Sequence, residues 1–508
     1  MFDCFMKVTN GAFKSLNKAR IIAAVALVLG ALFDYLFYAK APGINFPLYV
    51  FLLAAGLWLM ARLFKKPVDR HIFWLFFPLL FFSAMVFVRA SFLLTFLNIV
   101  ASLLLLLILA EVFSGKKLRN FLIKDYLKIF FMPLKFISPL FQSLTDLLQP
   151  AAKNKRKTLR QVLKGIFLAV PFLVVFLLLF SSADLVFHKY VAGLISFDIN
   201  PEIIFRLFLV LALTLFYIGA YCYALGEKEN QVIAKPRTCR LEKLESAVLL
   251  GLINLLFFVF ILFQLTYLFG GRANISLQGF TYAEYARHGF FELIAVAAIS
   301  LLLLLGVEKY VVKKEATHFR EFKILGTALV IQVGLIMASA FRRLSLYEQA
   351  YGFTVLRLYS HVFIIFLAVV FSFLLYKIHK NQEEKNFAYH VFLSLIFFLA
   401  VMNFLNPEAF VARRNLERFY QTGDLDVFYL SSLSSDVLPQ TIKVLDIADE
   451  KLRKSFACQL YERIQEKNFS SFSSWQAFNL SRARADKIIN FSKEGIKREC
   501  QDYLLFKK

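Results

Sequence analysis

FLLTFLNIVASLLLLLILAEVF, residues 92–113, is the run on which the fold turns. Its single ionisable side chain, Glu111, sits near its end. At ~1.5 Å per residue, a helix of this length reaches about 33 Å, the thickness of a bilayer's hydrocarbon core. Similar runs recur along the chain. We read about eleven membrane segments, at 20–38, 44–63, 71–88, 92–113, 163–187, 203–224, 245–269, 286–307, 322–341, 354–376 and 388–405. The third and fourth are joined by little more than Arg89, so they form a tight hairpin.

Composition agrees. The chain has 508 residues, of which 59% are hydrophobic and 19% charged. Its mean hydropathy is +0.63. That leaves too little polar side chain to clothe a soluble domain. A transmembrane β-barrel requires alternation in short segments, and none is present. The expected fold is therefore all-α, a polytopic helical bundle with a small helical extramembrane domain at its C-terminal end.

The net charge of +24 invites a nucleic-acid reading. Its distribution argues otherwise, because Lys and Arg cluster in alternate connections between apolar runs. Lys7, Lys14, Lys18 and Arg20 precede the first run, and Arg62, Lys65, Lys66 and Arg70 come after the second. Another cluster runs from Lys116 to Lys164, and further ones lie at 228–243, 309–323 and 377–385. The intervening connections are poor in cations. This bias places the N-terminus in the cytoplasm and, after an odd number of crossings, the C-terminus outside. The first run resembles a signal peptide, with AKA at 39–41, but it is long and Pro42 stands directly after that triplet; we read an uncleaved helix.

The chain divides into four regions: an N-terminal bundle at 1–113, a basic amphipathic segment at 114–161, a membrane core at 162–406 and a helical tail at 407–508. In the second, FLIKDYLKIFFMPLKFISPLFQSLTDLL (121–148) spaces apolar residues helically between lysines, and Pro133 and Pro139 break it into short pieces. It reads as interfacial helices on the anionic inner leaflet, or as a linker lying on the membrane. In the tail, Asp426 and either Ser434 or Ser435 are expected helix caps. The five cysteines form no CxxC pair, so no metal or redox motif is expected. If the tail is outside, Cys458 and Cys500 share an oxidising compartment; they either pair or remain two free thiols.

The polar constellation is concentrated at one set of helix mouths. Glu284, His288 and Glu292 fall at i, i+4 and i+8, on one side of a helix, with Arg287 in reach of Glu284. Arg342 and Arg343 leave the ninth segment, and Arg357 and His361 enter the tenth at i and i+4. With the expected threading, all eight face outward, as a vestibule. Each has a plain alternative: lipid snorkelling for Arg342 and Arg343, a structural ion pair for Glu284 with Arg287, a packing hydrogen bond for Glu292. The ExxxHxxxE spacing has no nearby Cys or further ligand in sequence, so neither metal nor cofactor is expected. No Walker, dinucleotide-binding, GxSxG or HExxH motif is present.

FTYAEYARHGFFEL (280–293), LYEQAYGFTVLRLYSH (346–361), NPEAFVARRNLERF (406–419), GDLDVFYLSSLSSDVLPQ (423–440) and FNLSRARA (478–485) together resemble a bacterial family of integral-membrane proteins known only as a domain of unknown function. The resemblance spans about residues 245–490 and leaves out the first four helices. It implies a bacterial inner (cytoplasmic) membrane and a joint module of last helices and tail. It implies no activity and no catalytic residue. The protein is expected to be more binder than enzyme, its vestibule recognising an anionic or glycan-bearing envelope lipid or an envelope protein partner. The rival readings are a proton-coupled secondary transporter using Glu292 and His288, a membrane enzyme using Glu292 or Glu284 as base, and a sensor.

Overall fold

The computed structural model describes residues 16–67, 72–147, 201–226, 243–269, 290–311, 316–465 and 474–506, with scattered positions between 161 and 187. All regular elements among them are helical. Four long helices come first: α1 (Leu16–Phe37), α2 (Asn45–Leu63), α3 (Phe73–Val88) and α4 (Phe92–Phe113). Two short ones come after, α5 (Ile123–Ile129) and α6 (Ile137–Leu147). Six long helices come next: α7 (Pro201–Leu225), α8 (Lys243–Phe269), α9 (Phe290–Tyr310), α10 (Ala316–Tyr351), α11 (Val355–Lys380) and α12 (Glu384–Leu405). The tail holds α13 (Pro407–Thr422), α14 (Val427–Ser432), α15 (Glu450–Gln465) and α16 (Leu480–Phe506).

Among the described residues, 9 helices are long and apolar enough to cross a membrane. A shorter apolar helix, α3, has 16 residues with Pro78 inside it. The expected fifth segment, 163–187, falls largely outside the described residues. The protein is an all-α, multi-pass integral membrane protein.

One boundary differs in a way that matters. The apolar run of the ninth segment ends at 341, and the residues beyond it are expected to form a connection. In the structure α10 has 36 residues and runs on to Tyr351. The reason is local: RRLSLYEQAY (342–351) contains neither Pro nor Gly, so nothing stops propagation once the apolar run ends. The stop is Gly352, whose φ of 82° lies in the left-handed region. At ~1.5 Å per residue α10 is about 54 Å long, well beyond the bilayer's ~30 Å core.

The apolar side chains gather in three cores. One unites α1 to α4 with α7 and the segment from Leu118 to Leu140. A second lies among α8 to α11. The third fills the tail, where Leu430, Val444, Phe456 and Ile496 are almost wholly buried. The prolines at 133 and 139 act as expected: α5 ends before a 3-10 turn, Met132–Phe136, and α6 starts immediately after it. Lys66 donates to the carbonyls of Ala224 and Gly226, both at 2.8 Å, at the C-terminal end of α7. The last turn of a helix leaves such acceptors open and favours a cation.

Side-chain caps start the tail helices where the sequence suggests. Asp426 accepts from the Tyr429 N–H at 2.9 Å, and Ser434 accepts from that of Asp436 at 3.3 Å. Cys458 and Cys500 are paired, joining α15 to α16 across 42 residues of sequence. Closing a loop of that size removes denatured-state entropy worth about 4 kcal/mol. Thermal unfolding of the purified protein in reductant should therefore show a lower midpoint for the tail. An unchanged midpoint with both thiols free would contradict this.

The tail is not a loose appendage. The Asp436 carboxylate accepts from the N–H groups of Ala90 and Ser91, at 2.9 and 2.8 Å, in the α3–α4 turn. The Asn479 amide donates to the carbonyls of Val86 and Arg89 at 3.1 and 2.9 Å. The Ile44 N–H donates to the Phe478 carbonyl at 2.9 Å, tying in the α1–α2 turn. Below these contacts Asn98 of α4 and Asn403 of α12 exchange amide hydrogen bonds at 2.7 and 2.8 Å. Both are fully buried, and each satisfies the other in an apolar setting that would penalise either alone.

Candidate functional site

The turn between α10 and α11 is the best-defined polar feature at the tail-bearing end. Gly352 begins it. A Cβ there would sit 2.9 Å from Asn415 Oδ1, so the position needs glycine for space as well as for φ. Asn415, on α13, grips the backbone of Phe353 twice, accepting from its N–H and donating to its carbonyl at 2.8 Å each. Tyr429 of α14 accepts from the Val355 N–H at 2.8 Å. Burial pushes this phenol's pKa up, so it stays neutral. Arg418 donates to the carbonyls of Gln349 and Ala350 at 3.3 and 3.0 Å, capping the end of α10. The tail thus holds both flanks of this turn.

Under the turn lies an inward-facing cluster. His361 of α11 is 8% exposed and Glu348 of α10 is 6% exposed. Their Nδ1 and Oε1 atoms are 3.5 Å apart. The same Nδ1 lies 3.3 Å from the Arg357 carbonyl, and Nε2 lies 3.1 Å from Ser345 Oγ. Two acceptors at Nδ1 require the proton there. Ser345 in turn donates to the Phe341 carbonyl at 2.9 Å. With its proton on Nδ1 the ring points Nδ1–H toward Glu348 and turns Nε2 to Ser345. The Phe341 ring stands edge-on to the imidazole at 4.3 Å between centroids.

Arg357 caps this cluster. Its guanidinium lies 4.1 Å from the Tyr347 ring centroid and donates to the Gly352 carbonyl. Arg342 is exposed on α10 and Arg343 is half-buried. Glu292 is exposed in the first turn of α9, where the helix dipole suits a carboxylate. Glu284, Arg287 and His288 lie outside the described residues. The structure therefore brings Arg357 and His361 together and adds Glu348, Ser345 and Tyr347 to them.

Below Phe341 a groove opens between α10 and α11. It has a volume of about 500 Å³ and runs from Phe341 and Ile364 down to Val330 and Leu375. Its floor is made by small residues one turn apart, Gly334 and Ala338 on α10, Ala368 and Ser372 on α11. A Cβ on Gly334 would meet nothing within 4 Å, so the space beside it is open. Small residues at i and i+4 normally let two helices close on each other; here they leave a trough. The signal for it lies in GLIMA (334–338) and AVVFS (368–372), which a search for charged residues passes over. Ser345 and Asn415 give no signal at all, because their partners are distant or on another helix.

Among the described residues no group of His, Cys, Asp and Glu is arranged to hold a metal ion. No curated protein and no solved structure matches the chain. A family model does, over residues 76–444, so the likeness begins inside α3 and takes in α4, earlier than the expected start near 245, and it ends before FNLSRARA (478–485). The groove helices, the turn at Gly352 and the tail segment that grips it all fall within that match, and the chain belongs to the family described as a domain of unknown function, DUF4153.

Proposed function

We propose that the protein binds a membrane lipid at its tail-bearing end. The acyl chain occupies the α10–α11 groove, and the headgroup meets the polar cluster above it. The groove is the observation that carries this reading. From Val330 to Phe341 it extends about 16 Å at ~1.5 Å per residue, which is half of a ~30 Å hydrocarbon core. That is the depth of one leaflet. Its apolar walls end at Phe341, where His361, Ser345 and Arg357 begin. Arg342 stands exposed at the same level and offers a fork of donors to a phosphate.

The end that carries the tail is the extracytoplasmic one in this proposal. Two observations support it. The cation-rich connections lie at the other end of the helices, as the positive-inside bias requires. A disulfide in the tail suits an oxidising compartment. In this reading the lipid is an anionic or glycan-bearing one from the outer leaflet of a bacterial inner membrane, and the sequence resemblance to bacterial membrane proteins is what supports that choice.

The test fills the groove. Gly334→Leu places a side chain in open space and improves helix propensity by about 1 kcal/mol, so folding is preserved. Lipids retained on detergent-purified protein should fall several-fold in Gly334→Leu, and headgroup selectivity should weaken in Arg342→Ala. An unchanged lipid complement in both variants removes the proposal. A proton-coupled transport reading would instead require uptake that depends on His361, and the His361–Glu348 pair is the feature that keeps it in view.

A further inference from the structure

The opposite end of the bundle holds a second cavity, of about 260 Å³, unconnected with the α10–α11 groove. Ile72, Trp74 and Leu75 from the start of α3, Val112 from the end of α4 and Tyr389 from the first turns of α12 form its walls. The 3-10 turn Leu118–Asn120 closes it, bringing Lys117, Leu118 and Arg119 to the rim.

Charge is what sets this cavity apart. Lys116, next in sequence, is neutralised by Asp125 at 2.9 Å. Among the described residues neither Lys117 nor Arg119 has a carboxylate partner. Both are exposed, and the Arg119 guanidinium lies over the Tyr389 ring at 5.9 Å. Trp74 meets Tyr389 edge-on at 6.4 Å, and both rings face the cavity. Two such cations above an aromatic and aliphatic floor suit a ligand with an anionic head and an apolar body.

The surroundings of this cavity suit the headgroup level of a membrane. Just beyond the turn, Leu127, Phe130, Phe131 and Leu134 are 70%, 75%, 59% and 55% exposed. Lys124, Lys128 and Lys135 are interleaved with them. Apolar residues showing outward amid lysines mark a segment lying in the headgroup region. Tyr126 of α5 stacks on Phe392 at 5.0 Å, and Phe392 meets Trp74 at 6.2 Å, so the segment and the cavity wall form one aromatic layer.

We propose that this cavity binds the phosphate of an anionic membrane phospholipid, with Lys117 and Arg119 as its contacts. The site is independent of the α10–α11 groove and takes lipid from the other leaflet. Aromatic rings at headgroup depth and the adjoining interfacial helices favour a lipid phosphate over a free one.

The experiment titrates phosphatidylglycerol into delipidated full-length protein in neutral detergent, reading tryptophan emission and bound lipid by native mass spectrometry. Lys117→Gln combined with Arg119→Gln should weaken binding about 30-fold, the loss of two interfacial cations. Parent and double variant both carry Gly334→Leu in this titration, which fills the α10–α11 groove and leaves this cavity as the site being read. Equal binding by the double variant and the parent overturns the proposal. Phosphatidylcholine binding as tightly as phosphatidylglycerol overturns it too, because the cations then confer nothing. Displacement of the lipid signal by millimolar inorganic phosphate alone would reassign the cavity to a soluble anion and likewise overturn the lipid assignment. Both substitutions are on exposed side chains; an unchanged melting profile accompanies the expected result.

Discussion

Lys377→Met is expected to destabilise the bundle by about 3–5 kcal/mol, the cost of removing one member of a buried ion pair. Lys377 of α11 and Glu308 of α9 form that pair at 2.5 Å, with side chains only 4% and 5% exposed. Removing the ammonium takes away the charge that balances the Glu308 carboxylate, beside the second core's aliphatic side chains. The face of the Phe387 ring, 5.5 Å from the ammonium, favours the cation as well. The informative companion is Glu308→Leu in the same chain. Two apolar side chains in place of a buried pair are often neutral or better, so the double variant should regain most of the loss. Thermal unfolding in a fixed detergent measures both. A single variant as stable as the parent would show that the carboxylate reaches water after all.

Asp436→Ala should loosen the tail by about 2–4 kcal/mol. Asp436 is 6% exposed and accepts two backbone donors from the turn after α3. Truncation leaves the buried Ser91 N–H and the partly buried Ala90 N–H without this acceptor, at roughly 1–3 kcal/mol each less what water recovers. The loss is in docking, so limited proteolysis is the sensitive probe: cleavage between 440 and 480 should accelerate while the membrane helices stay intact. Asp436→Asn keeps one acceptor and should fall between. If Asp436→Ala resists protease as well as the parent, Asn479 and the Ile44 contact suffice to seat the tail.

The spans are legible because apolar run length is a one-dimensional signal, and α4 or α11 needs no tertiary information to be found. The end of α10 is not, because hydropathy marks where lipid stops and says nothing of where a helix stops. Gly352 does, through its backbone angle, and a lone glycine in an expected loop attracts no notice. The site divides in the same way. Arg357 with His361 is visible as a spacing on a single helix. Glu348 is visible only as a residue in a connection, since its place opposite His361 depends on α10 continuing. The groove depends on small residues that carry no charge and no chemistry, and its existence comes from two helices failing to close.

The bonds that seat the tail also impose an order on assembly. Asn479 is joined to Arg89 across 390 residues of sequence, and Asp436 to Ala90 across 346. Helices α3 and α4 enter the bilayer long before either partner has been synthesised. Until then the amides of their shared turn have only water or headgroups to bind. The finished surface is made late and all at once, when the final stretch folds and reaches back. Contacts this distant in sequence close slowly. A nascent chain stalled anywhere before residue 436 therefore presents a bundle whose rim is unfinished, which gives a quality-control protease a clear mark of incompleteness.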